Sequence, residues 1–379
     1  MDYSGPLSRR PIREVGEYGK SKTWRAPEVI DFALCVSRIV FGLNKSFNVR
    51  QVVNVKLFIL ISLFLLLSGS ANAQKQSIGI IDFYGLRSVS ELQARDALEI
   101  KEGDSVPASR EPAQHRLEAL PNVEQALLGF VCCDAGEAIL YVGIKEKGGA
   151  SLKFQSAPNG SIRLPETIVR AGDAFDDAIT RGIEKGDTAE DESQGHALSS
   201  YPEARAIQER FITFAAQDFN LLRAVLHQSA DAHHRALAAE IIAYTASKQK
   251  VVTDLVYGMK DPDDGVRNNS MRALALIAGF AQRHPKEQIK VPIRPFIRML
   301  NSIVWTDRNK SAFALSQLTE KRDPVILAEL RQQALHSLIE MARWKSPAMP
   351  LALSSFSGAL GIYRKMKFKK TGTAATAKL

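Results

Sequence analysis

Cysteine is scarce in this chain, with three residues among 379. So few cysteines exclude a disulfide framework, and their spacings include no CxxC metal pattern. Cys132 and Cys133 are adjacent on a predicted strand, whereas Cys35 stands alone. Two interpretations of the adjacent pair stay open: a vicinal disulfide or reactive thiol pair, and two small residues of an ordinary strand. No cationic side chain adjoins either thiol in the sequence to activate it.

The sequence also lacks the motifs of common catalytic chemistry. It contains no GxxxxGK(S/T), no GxGxxG after a strand, no HExxH and no GxSxG. We therefore predict no catalytic residues, no cofactor, and a protein that is not an enzyme. The alternative is a redox or metal-dependent envelope enzyme or enzyme regulator that uses Cys132 and Cys133 or a cluster of His and Asp.

Candidate metal ligands are few. His227, His233 and His234 lie near a predicted turn, where metal binding is one interpretation and exposed loop histidines are the other. Asp231 beside them is interpreted as a helix cap. The acidic residues 187–196 match no calcium-loop spacing. The sequence therefore predicts no metal site.

An excess of charge of one sign is lacking in the body of the chain, although the formal net charge is +9. About five surplus positive charges fall within residues 1–73, and the tail 364–379 is basic without an acid. The near-neutral body argues against binding of nucleic acid. The tail is predicted to be disordered, with at most weak contact to anionic lipid or envelope polymer.

One apolar run stands out at residues 57–67, after Lys56 and before Ala71-Asn72-Ala73. It is too short to cross a bilayer, which takes about 20 apolar residues. A basic start, a short apolar run and an A-x-A end predict a signal peptide over 55–73, cleaved after Ala73. The alternatives are an uncleaved membrane anchor and a buried helix. We expect a periplasmic or secreted protein.

Residues 74–148 predict a small α/β module with the element order β-α-α-β-β. The predicted elements are a strand at 78–85, helices after Ser88 or Ser90 and at 109–120, and strands at 126–133 and 137–146. The stretches IDFYGLRSVS, ALEIKEGDSV, RLEALPNVEQALL and ILYVGIKEK resemble a POTRA domain, the polypeptide-transport-associated module. The resemblance implies binding of extended peptides by strand addition at a sheet edge.

A connector is predicted over residues 149–200. It contains a helix at about 168–183 and an acidic segment, 186–196, that is short of apolar residues. Such a composition favours a solvated linker.

Residues 201–363 have the apolar spacing of successive amphipathic helices. Helices are predicted at about 203–215, 217–228, 232–246, 249–260, 264–280, 291–302, 307–319 and 324–345. Four segments align, beginning at Arg235, Met271, Ser311 and Gln333. Their spacings of about 36, 40 and 22 residues indicate paired-helix repeats with an atypical last unit.

The turn from Met259 to Arg267, MKDPDDGVR, resembles the D-x-x-V-R turn of HEAT-repeat proteins. The resemblance implies structural roles for its residues: Asp261 or Asp263 caps the next helix, Pro262 ends the previous one, Val266 packs inward and Arg267 bonds turn groups. A weaker copy at 305–310 has Lys310 in the arginine place. The predicted fold is mainly α, a HEAT-like α-solenoid preceded by a POTRA-like domain.

A binding surface is expected on the second helix of each pair, at 249–260, 291–302 and 324–345. Its predicted members are Lys250, Asp254, Arg294, Arg298, Glu329 and Gln332. Their mixed signs favour a protein partner over a polyanion. The alternative is that these residues are merely solvated. We predict an exported, non-enzymatic scaffold that binds a protein partner.

Residues 1–54 contain no second Met and no clear domain pattern, so we interpret them as an over-extended N-terminus. Val52, Val53 and Val55 are compatible with alternative bacterial start codons, and a start at Val55 gives a signal peptide of ordinary length. N-terminal sequencing of the exported protein should therefore begin at Gln74. Met1 at the mature terminus would contradict both the shortened start and the cleavage.

Overall fold

The computed structural model describes residues 76–134 and 136–346, with the backbone alone for 132–134. Predictions for three segments lie outside the described residues: 1–54, 55–73 and 364–379. The described residues all belong to one compact unit.

The described residues form eleven α-helices and five strands. The helices are α1 (Glu91–Leu98), α2 (Glu111–Glu118), α3 (Glu166–Glu184), α4 (Pro202–Gln217), α5 (Phe219–Gln228), α6 (Ala232–Ile242), α7 (Lys248–Gly258), α8 (Asp264–Arg283), α9 (Arg294–Met299), α10 (Trp305–Leu318) and α11 (Pro324–Ala342). The strands are β1 (Ile78–Tyr84), β2 (Val123–Asp134), β3 (Glu137–Glu146), β4 (Glu190–Asp191) and β5 (Leu198–Ser199).

The first three strands form one sheet in the order β1-β3-β2, with β1 parallel and β2 antiparallel to β3. The element order is the predicted β-α-α-β-β. Helices α1 and α2 cover one face, where Ile81, Leu98 and Leu117 are fully buried. Tyr84 and Tyr141 belong to the core of the repeat helices instead. Burial on both faces explains why nearly all of β3 is apolar.

Ser90, one of the two serines expected to cap α1, is its N-cap. Its hydroxyl accepts from the Gln93 amide while the Gln93 side chain accepts from the Ser90 amide, which completes a capping box. Ser88 has another role, because its amide donates to the carboxylate of Glu146 at the end of β3. Four donors from residues 87–89 hold the pKa of Glu146 down to about 2, against the opposing effect of its burial.

All eight predicted repeat helices are present. Tight turns join α5 to α6, α7 to α8 and α9 to α10, so these are the helix pairs. Helix α8 packs between α6 and α10, which gives a second-helix row of α6, α8 and α10. Helices α5 and α7 contact each other, as do α9 and α11, and these four form the first-helix row. The two rows make a helical-repeat solenoid.

A buried arginine occupies the fourth position of each helix in the second-helix row: Arg235, Arg267 and Arg308. We call these three residues the arginine ladder. Each is at most 3% exposed and donates to the carbonyl oxygen six residues upstream in its own turn, at 2.6 to 2.9 Å. Each guanidinium also reaches a carboxylate further along the chain. These pairs are Arg235 with Asp261 at 2.8 Å, Arg267 with Asp307 at 3.0 Å and Arg308 with Glu340 at 3.0 Å.

The ladder corrects one detail of the expected turn and decides another. Arg308, rather than Lys310, stands in the arginine place of the third turn, since it alone reaches back to the turn carbonyl of Ser302. Asp263 caps α8 by accepting from the Val266 amide, whereas the fully buried Asp261 accepts from Arg235. Asp263 is half-buried.

Part of the connector runs along the inter-helix turns. The Gln155 amide donates to the carbonyl of Lys260 at 2.8 Å, and the Gly160 amide donates to the carbonyl of Gln228 at 2.8 Å. Phe154 lies under the guanidinium of Arg267, 4.1 Å from its ring centroid. This segment therefore covers the ladder from outside.

The acidic segment is exposed over most of residues 186–194, as expected of a solvated stretch, but it is attached to the helices. Strands β4 and β5 pair as a short hairpin, and residues 195–199 are buried. Gly195 has a φ of +70° and lies against Phe280, where a side chain would clash. The Tyr244 hydroxyl donates to the carbonyl of Ala197 at 3.0 Å. The few apolar residues after the acidic run are enough to dock it on the helices.

Val266 is fully buried beside the ladder, so Val266→Asp should lower the free energy of unfolding by roughly 3 kcal/mol or more through an unpaired buried charge. Val325→Asp is the matched control, because Val325 is 73% exposed in the first turn of α11. Urea denaturation compares the two. Equal, small effects would refute the packing described for α8.

Candidate functional site

A row of charged side chains crosses the second-helix row. Glu240 on α6, Arg272 on α8 and Lys310 on α10 are each half-buried. Glu240 and Arg272 follow their ladder arginines by five residues, so they occupy equivalent positions on neighbouring helices. Asp176 on α3 and Glu190 on β4 complete the set. We call these five residues the charged row.

The hairpin supplies the partner of the central arginine. The Arg272 guanidinium donates to Glu190 at 2.5 Å, with 33% and 25% of the two side chains exposed. A charge-assisted bond of this geometry holds β4 against α8. The burial of Arg272 disfavours its charged form, yet the neighbouring Glu190 carboxylate raises its pKa further above the ordinary value.

Glu240 and Lys310 lie on either side of that pair. Neither side chain makes a hydrogen bond or ion pair with any residue that the structure describes. Burial, and then the nearby negative charge of Asp176, raises the pKa of Glu240 to about 8. Burial, and then the positive charge of Arg272, lowers the pKa of Lys310 to about 8. The row thus contains one acid and one base that protein surrounds without pairing them.

An aromatic side chain adjoins this row. Phe313 follows Lys310 by three residues, which places the two on the same face of α10, and it is half-buried. Apolar surface beside desolvated charges of both signs suits a polypeptide ligand better than a uniformly charged polymer.

The surface predicted from sequence lies elsewhere, on the first-helix row. Its exposed members are Lys250, Arg294, Arg298 and Gln332. Glu329 is half-buried and accepts from Arg294 at 3.1 Å. Asp254 was expected to face solvent, but it is 2% exposed because Arg223 and His227 donate to its carboxylate.

The expected pairing of helices was displaced by one helix. The D-x-x-V-R turn joins α7 to α8, so 249–260 corresponds to a first helix and 264–280 to a second. Likewise, the turn before α10 joins α9 as a first helix to α10 as a second helix. The second helices that were expected to carry the binding surface are therefore α6, α8 and α10, where the charged row lies.

The histidines are placed differently from either interpretation of the sequence. His227 lies in α5 rather than a loop, 2.8 Å from Asp254, and His234 accepts from the Leu164 amide at 2.9 Å. Asp231 caps α6, as expected. Residues 76–134 and 136–346 contain no group of three His, Cys, Asp or Glu side chains arranged to hold a metal ion. Cys132 and Cys133 lie in β2, and their side chains are outside the described atoms.

Within the described part of the chain, no helix has both the length and the apolar character that a bilayer span requires.

No model of a protein family matches the sequence, and no curated protein matches it. Among solved structures, the complex of CpcE and CpcF of phycocyanin lyase from Nostoc sp. PCC7120 contains a chain similar to this one. The likeness covers 58% of this chain and 95% of that chain, at 16% identity and a TM-score of 0.21. So loose a superposition assigns no site to this chain. The helical-repeat class follows from its own helix rows, and no comparison supports the POTRA resemblance.

The comparison contradicts the prediction that this chain is not an enzyme. The similar chain is part of a lyase complex, and missing motifs were the ground for that prediction. Missing motifs are only an absence and do not exclude an enzymatic role, so the prediction of a non-enzyme is not kept.

The charged row predicts a specific pH dependence. The pKa of Glu240 rises from 4.5 to about 8 on folding, so the folded state keeps a proton that the unfolded state releases. Stability present below about pH 4.5 is therefore lost as the pH rises through 8. Glu240→Gln should reduce this loss by more than about 1 kcal/mol in urea denaturation at pH 5 and pH 8.

Glu209→Gln is the control for that measurement, because Glu209 is an exposed carboxylate paired with Arg205 on α4 at 3.3 Å. It should leave the pH dependence unchanged. The same slope in Glu240→Gln and wild type would show that Glu240 is not desolvated.

Proposed function

We propose that the protein is an exported helical-repeat protein that binds a segment of a partner protein along the charged row. This proposal is carried by Glu240 and Lys310 on either side of Arg272, which are half-buried and have no ion-pair partner among the described residues. Desolvated charges without partners destabilise a fold, and a ligand that brings opposite charges recovers part of that loss. The proposal of export depends on the sequence of residues 55–73.

The mixed signs of the charged row favour a protein segment of matching charge. A polyanion needs a uniformly basic surface, whereas one end of this row carries the carboxyl groups of Asp176 and Glu240, and Glu240 ionises when a cation pairs with it. A segment with a cationic residue toward α6 and an anionic residue toward α10 would complement both ends. Complementary charges of this kind select a partner and fix its direction.

We also propose that the helix pairs are HEAT-like repeats. This proposal is supported by the D-x-x-V-R turn and by the arginine ladder that repeats the bonding of that turn in three pairs. In such solenoids, binding surfaces are spread over successive helices of one row. The charged row has this arrangement.

The sheet module is less suited to the peptide binding that the POTRA resemblance implies. Strand addition needs free backbone groups at a sheet edge. On β2, the Ala126 amide donates to Glu118 and the Leu128 carbonyl accepts from Arg110. At the start of β1, the Ile78 amide donates to the carbonyl of Asp104. Both edges are therefore partly occupied, which favours the repeats as the binding surface.

A charge-swapped variant tests the proposal. A photo-crosslinking residue at Phe313 identifies the partner in the native compartment, and the purified partner is then titrated. The double variant Glu240→Lys, Lys310→Glu should weaken binding at least about tenfold, a loss of about 1.4 kcal/mol, because each end then repels its complement.

The first-helix row supplies the matched variant, Arg294→Glu with Arg298→Glu, since both arginines are exposed. Binding should be unchanged there. If this pair abolishes binding and the charge-swapped variant does not, the partner lies on Lys250, Arg294, Arg298 and their neighbours, and the charged row is not the site.

A further inference from the structure

A second polar cluster lies on the first-helix row and takes no part in the proposed function. It borders a shallow cavity of about 370 Å³ that is open to solvent along one face of α5. The described residues that line the cavity are Asn220, Arg223, Ala224, His227 and Gln228. Their spacing of three and four residues places polar side chains in a single stripe.

A buried carboxylate organises this cluster. Asp254 on α7 has 3% of its side chain exposed, and its Oδ1 accepts from Arg223 Nε at 2.9 Å and from His227 Nε2 at 2.8 Å. The Asp254 carboxylate therefore fixes the orientation of both the Arg223 guanidinium and the His227 imidazole. A buried carboxylate with two such partners is well compensated.

The imidazole is also held from its other side. The ring of Tyr257 stacks on His227 with centroids 4.0 Å apart and planes 22° apart. The Tyr257 hydroxyl donates to the backbone carbonyl of His227 at 3.3 Å. A ring clamped between a carboxylate and an aromatic side chain keeps one rotamer, so its second nitrogen has a fixed position.

The bonds to Asp254 leave ligand-binding groups available. Arg223 uses Nε for the carboxylate, and its two terminal nitrogens make no hydrogen bond with the described residues, while 57% of the side chain is exposed. His227 uses Nε2 and keeps Nδ1. Guanidinium and imidazole groups are the side chains that proteins use for oxyanions, and Arg presents a planar fork that matches two oxygens.

We propose that this cavity binds a single oxyanion group, a phosphate or a carboxylate, of a small ligand. The terminal nitrogens of Arg223 donate to two oxygens of the anion. His227 Nδ1, when protonated, donates a further hydrogen bond to the anion. Asp254 offsets one positive charge, so the site suits one anionic group rather than a polyanion. Asn220 and Gln228 border the group with amide donors.

The probes are inorganic phosphate and acetate, added to the mature chain with isotope-labelled histidine rings. Phosphate or acetate should shift the His227 ring resonances saturably at millimolar concentration. Arg223→Gln should weaken that binding at least about tenfold, measured well below its Tm, which falls because the buried Asp254 loses one of its two donors. The anion that binds more tightly distinguishes a phosphate ligand from a carboxylate ligand.

Arg210→Gln is the matched control, because Arg210 is an exposed arginine on α4 whose guanidinium lies 5.6 Å from the Phe214 ring. It should leave the shifts intact. Resonances of His227 that do not respond to either anion would overturn the proposal. Equal responses in Arg223→Gln and wild type would also overturn it, because they would show general ionic screening. These outcomes do not depend on the charged row. The anion site and the charged row are therefore tested independently of each other.

Discussion

Each inter-helix turn of the second-helix row is closed by a buried arginine. A guanidinium removed from water is costly, and its attraction to one carboxylate often fails to compensate. Here every ladder arginine also bonds a turn carbonyl six residues upstream, so more of its five donors are satisfied. Removing one partner of such a pair typically costs about 3–5 kcal/mol, roughly a third of the stability of an ordinary domain.

The ladder also ties the remaining segments to the repeats. Arg267 lies over Phe154 of the connector, and Arg308 lies 4.6 Å from the ring of Tyr84 in β1. The Tyr84 hydroxyl donates to the carbonyl of Ile303 in the third turn at 2.6 Å, and Trp305 stacks on Tyr141 at 5.0 Å. The sheet therefore depends on the last helix pairs for one of its faces. A perturbation of the third turn should loosen the sheet and the repeats together.

The sequence was sufficient to predict what local patterns encode. Eight helices and the order β-α-α-β-β follow from periodicity and turn chemistry, and the burial of Val266 is what the resemblance to the HEAT-repeat turn implied. The pairing of helices was displaced because amphipathic spacing locates helices but does not show which of two neighbours opens a pair. The segment at Gln333 lies in the other row, which explains its short spacing. Lys310, Glu240 and the hairpin contacts were not predicted, because long-range packing alone makes their charges unusual.

Opposite charges at the two ends of the charged row have a consequence for binding. A cationic group that pairs with Glu240 lowers the pKa of that carboxyl below about 8 and so releases a proton. An anionic group that pairs with Lys310 raises the pKa of that amine above about 8 and so takes up a proton. A segment that spans the whole row does both, and the two proton changes largely cancel near pH 8. The net proton exchange on binding therefore reports which end of the row a ligand occupies, independently of its affinity.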